Sequence, residues 1–74
     1  MITIVKEVRD DVSQINITYR AMLSGKKYGI RMVYFPDETE KPLESLLEEY
    51  EPKVIETFKK QLVKLNIQDE VEIV

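Results

Sequence analysis

Chemistry in a short chain rests on a few side chains, and here the usual ones are missing: the 74 residues include no His and no Cys. Without His the commonest general base and transition-metal ligand is gone. Without Cys there is no thiolate nucleophile, no zinc thiolate and no disulfide. Ser13, Ser24 and Ser45 remain as hydroxyl groups, but a serine nucleophile needs a base to take its proton, and none stands at a recognisable spacing. Gly25-Lys26-Lys27 lacks the glycine spacing of a phosphate loop, and Asp10-Asp11 or Asp37-Glu38-Thr39-Glu40 lacks the alternating ligands and bend glycine of a calcium loop. The expectation is a protein that is not an enzyme, with no cofactor and no bound metal.

What remains is binding chemistry. Residues 15–23 alternate strictly, with Ile15, Ile17, Tyr19, Ala21 and Leu23 on one side and Asn16, Thr18, Arg20 and Met22 on the other. A period of two with β-branched residues describes a strand with one buried face. Ser24-Gly25-Lys26-Lys27 is a hairpin turn, because Gly25 takes positive φ without penalty. A second strand over 27–35 puts Tyr28, Ile30, Met32 and Tyr34 on the first face and Lys27, Gly29, Arg31, Val33 and Phe35 on the second, and Pro36 stops it. The second face therefore combines Arg20, Met22, Lys27, Arg31, Val33 and Phe35. Guanidinium groups among apolar and aromatic side chains are the composition of protein-interface hot spots. The same mixture suits single-stranded nucleic acid, with cations on phosphates and rings on bases.

The elements that must hold this hairpin are legible around it. Residues 2–8 form a first strand in which Lys6 interrupts the apolar side. Leu43, Leu46, Leu47 and Tyr50, continued by Val54, Ile55, Phe58, Leu62 and Leu65, follow the i, i+3, i+4, i+7 spacing of an amphipathic helix. Pro42 suits its start, Asn66 its end, and Pro52 predicts a kink near 48–51 or two helices, 43–50 and 53–65. Val71 and Ile73 alternate with Glu70 and Glu72 in a short last strand. The order is β-β-β-α-β. The expected fold is a two-layer α+β domain spanning 1–74, with sheet order 3-2-1-4, a helix on one face and the other face open. Such a chain is expected to be stable by about 4–11 kcal/mol.

Charge is divided along the chain. Residues 1–35 carry six basic and three acidic side chains, residues 36–74 five and eleven, for a net −3. The helix adds a second candidate surface, acidic, from Glu44, Glu48, Glu49 and Glu51. Its ordinary role is solubility, and its functional one is docking on a basic groove. No apolar stretch spans a membrane and no secretory signal opens the chain, so a cytoplasmic location without membrane contact is expected. The function expected is that of a small non-catalytic protein acting through a protein partner, an inhibitor or regulator of the kind that phages and other mobile elements produce. The alternatives are a nucleic-acid-binding module using the basic 15–35 hairpin and a homo-oligomeric structural protein.

Overall fold

The computed structural model describes all 74 residues, in the element order β1 (Ile2–Asp10), β2 (Ile15–Leu23), β3 (Lys26–Tyr34), α1 (Leu43–Lys64) and β4 (Val71–Ile73). The strands form one mixed sheet ordered β3-β2-β1-β4, with β1, β2 and β3 an antiparallel meander and β4 parallel to β1. This is the expected α+β architecture.

Local chemistry explains each junction. Ser24 (φ 51°) and Gly25 (φ 78°) both adopt positive φ between the paired Leu23 and Lys26. That is the primed two-residue turn whose twist matches the flanking strands, and it starts β3 one residue earlier than the alternation predicts. At the other end Asp11 N–H donates to Gln14 O (2.8 Å), and Asn16 Nδ2 donates to Asp11 Oδ2 (2.7 Å), which closes the β1–β2 connection. The long loop before the helix is tied by Tyr34, whose hydroxyl donates to Lys41 O at 2.7 Å.

The two separate helices, 43–50 and 53–65, do not occur: a single helix of 22 residues, Leu43–Lys64, runs through Pro52, because apolar contacts to the sheet on both sides of the proline hold the chain helical. Pro42 sits at the N-cap with φ −61°. Leu65 is the C-cap, and Asn66 follows it in the left-handed conformation with φ 56°. Asn66 N–H donates to Val63 O (3.2 Å) and Ile67 N–H to Leu62 O (2.9 Å). These two bonds make a Schellman motif, which satisfies carbonyls the helix end would leave free.

The helix lays Val54, Phe58 and Leu62 onto the sheet, where Ile4, Ile17, Tyr19, Ala21, Leu23, Tyr34 and Val71 complete the buried core. The half-buried Ile15, Ile30, Met32, Leu46, Leu47, Tyr50 and Leu65 pack around it. Alternation along each strand fixes the consequence: every second residue of β1, β2 and β3 points away from the helix. No helix in the structure is long and apolar enough to cross a membrane.

Candidate functional site

The sheet face opposite the helix is built by strand register. Val5, Arg20 and Gly29 form one cross-strand row, Glu7, Thr18 and Arg31 the next, and Arg9, Asn16 and Val33 a third. Met22 pairs with Lys27 toward the hairpin turn. Arg20 and Arg31 thus lie on one face in adjacent rows, and nothing in the chain covers them.

The face has two ends of different chemistry. Toward the hairpin turn a shallow depression of about 520 Å3 is lined by Ile2, Thr3, Val5, Arg20, Ala21, Met22 and Lys27. Val5 and Met22 are 56% and 54% exposed there, which gives the depression an apolar floor open to solvent. Toward the other end a polar depression sets Arg9, Arg20 and Arg31 beside the carboxylates Glu7 and Asp11, with Val33 and Phe35 also lining it. Phe35 lies just past β3 and is 40% exposed. All six hairpin residues singled out by type therefore share the open face, divided between its ends. Arg20 joins the two and pairs with Glu7 at 3.5 Å. Both side chains are largely exposed, so this pair holds Arg20 only weakly. Arg9, Lys27 and Arg31 make no ion pair at all.

The acidic helix surface is smaller than its sequence implies, because Glu51 does not belong to it. Glu51 turns toward the sheet, where its Oε2 accepts from Tyr19 OH (2.9 Å) and Lys6 Nζ (3.0 Å). Lys6, the interruption in the apolar side of β1, is there to meet it. A long side chain can lay its stem on the core and carry its charge to a partner. Sequence separations of 45 and 32 residues hid this trio from any local pattern. Glu44, Glu48 and Glu49 remain exposed. Glu49 receives Lys41 Nζ at 2.9 Å, and that hydrogen bond holds its carboxyl below the usual range.

Burial, and then the bond to Glu51, pushes the Tyr19 phenol well above its ordinary value of 10.0. The sign follows: the unfolded chain releases this proton near pH 10 while the folded chain keeps it. Stability from this group is complete below that pH and falls as pH rises, by about 1.4 kcal/mol per unit. Denaturant titrations at successive alkaline pH values should show Tyr19→Phe losing stability more slowly than wild type. Parallel curves would show that Tyr19 ionises as freely in the fold as outside it.

No family model matches the chain, and no curated protein or solved structure matches it either.

Proposed function

We propose that the protein is a non-catalytic binding protein that acts by laying its open sheet face on a protein partner. The observation that supports this is the uncovered face itself. Arg20, Met22, Lys27, Arg31, Val33 and Phe35 converge on it, Lys27 and Arg31 stand without an ion pair, and the opposite face is closed by the helix. The partner surface would offer carboxylates to Arg20, Lys27 and Arg31 and an apolar side chain to the Val5–Met22 depression. Occupying such a surface on another protein is how a chain without catalytic groups inhibits or regulates. The reading places it among small acidic inhibitors or regulators of the cytoplasm, of phage or mobile-element type.

Partner recovery from host lysate by wild type and by an Arg20→Glu/Arg31→Glu double variant tests this. Loss of central interface arginines costs about 2 kcal/mol or more, roughly 30-fold in Kd. The double variant should lose the partner, and a Glu44→Lys/Glu48→Lys variant on the opposite side should keep it. Equal recovery by both folded proteins would remove the face from function. A gel shift on single-stranded DNA or RNA, abolished by the same double variant, would move the reading to nucleic acid. Its log–log salt slope would be about 0.7–0.9 per phosphate contacted.

A further inference from the structure

One edge of the sheet is closed and the other is not. At β1 the short β4 pairs with Ile2, Thr3 and Ile4. At β3 all nine residues from Lys26 to Tyr34 have no neighbour on the outer side. The two-residue turn makes Leu23–Lys26 a hydrogen-bonded pair, so Lys26, Tyr28, Ile30, Met32 and Tyr34 direct their backbone groups at β2. Lys27, Gly29, Arg31 and Val33 direct theirs outward. An open row of this length is a template for another strand.

Its side chains favour a second copy of the same strand in one register. An antiparallel copy must oppose outward-directed residues with outward-directed residues. A two-fold axis through Ile30, the midpoint of β3, does so and engages the whole strand. On the helix side it sets Ile30 against Ile30 and Tyr28 against Met32. These are half-buried apolar side chains that line depressions between β3 and the helix. On the open side it sets Gly29 against Arg31 and Lys27 against Val33, so no two cations face each other. An axis through Gly29 would oppose Lys27 to Arg31, and one through Arg31 would oppose Arg31 to itself.

Gly29 is an independent observation. It lies in mid-strand with ordinary φ, and a Cβ built on it would meet Tyr19 O at 3.6 Å and Arg20 Cγ at 3.7 Å, which is normal contact. The fold of one chain gives no reason for glycine here, and glycine weakens a strand. Close approach of another chain's side chain supplies the reason. We propose that two copies of this protein pair antiparallel along β3 about an axis at Ile30, making one continuous eight-stranded sheet. The two open faces then join into a single surface with doubled Arg20, Lys27 and Arg31. Those cations repel across the axis, so the dimer tightens as salt is raised, the opposite of the anionic-partner contact proposed above.

The chain has no Cys, so single substitutions report the register cleanly. With oxidised glutathione, Ile30→Cys should give a covalent dimer at least tenfold faster than Val12→Cys on the exposed β1–β2 connection. Tyr28→Cys and Met32→Cys should link when mixed and not separately. Wild-type protein in light scattering should move toward twice the chain mass with rising concentration, and further with rising salt. Its Lys27, Gly29, Arg31 and Val33 amides should gain protection from hydrogen exchange in parallel, a readout that needs no variant. Monomer mass at every concentration and salt, fast exchange of those amides throughout, or equal linking at 12 and 30 overturns the proposal.

Discussion

Phe58→Ala is expected to cost about 3–5 kcal/mol. Phe58 is 2% exposed and stands midway along the buried row Val54, Phe58, Leu62 that joins the helix to the sheet. Removing its ring loses the transfer term and leaves a hole that neighbours on a stiff helix and a paired sheet close only in part. A chain of this size has about 4–11 kcal/mol in all. The variant should therefore be either unfolded at room temperature or melt far below wild type, since each kcal/mol is about 4–8 °C at this length. Urea titration followed by circular dichroism measures it. Phe58→Leu, which keeps most of the volume, should cost less than about 1.5 kcal/mol. A loss below about 1 kcal/mol for the alanine variant would mean the helix does not depend on this contact.

That core is largely legible in the sequence. Alternation over Ile15–Leu23 and the spacing from Leu43 to Leu65 are strong signals because each face of those elements has one job. β1 was legible only in part. Its true extent, Ile2–Asp10, is longer than 2–8, because Arg9 and Asp10 continue the ladder against Asn16 and Ile15 on backbone hydrogen bonds. Hydropathy carries no trace of such pairing. Lys6 and Glu51 were illegible for a different reason. Each looks like a fault in its own element, a charge on an apolar strand face and one more acid on an acidic helix. The two faults answer each other only when sheet and helix meet. The open face stands between these cases. Side-chain parity places Arg20 and Arg31 together once the Ser24-Gly25 turn fixes the hairpin. The share of the face contributed by β1, including Val5 and the Glu7 contact to Arg20, depends on a register that no single strand specifies.

Pro52→Ala should raise stability by about 2 kcal/mol. Proline in a helix interior costs about 3 kcal/mol relative to alanine through a lost N–H and a ring that crowds the preceding turn. Alanine gives back up to about 1 kcal/mol by loosening the unfolded chain. Pro52 is exposed, so its ring contributes little packing to offset that cost. The carbonyl of Glu48, which the missing N–H leaves without its helical partner, lies on the solvent side with an exposed residue. A gain in the urea midpoint with unchanged slope is the expected result. Helices persist through so costly a residue only where tertiary contacts on both sides of it hold the chain, here Leu46, Leu47 and Tyr50 before and Val54, Phe58 and Leu62 after. Directly before the proline, Glu51 holds Lys6 and Tyr19. If Pro52→Ala is instead destabilising, the proline geometry is what aims Glu51 at the sheet. A Pro52→Ala/Glu51→Gln pair would then show coupling well above the additive value, whereas independent sites add to within about 0.5 kcal/mol.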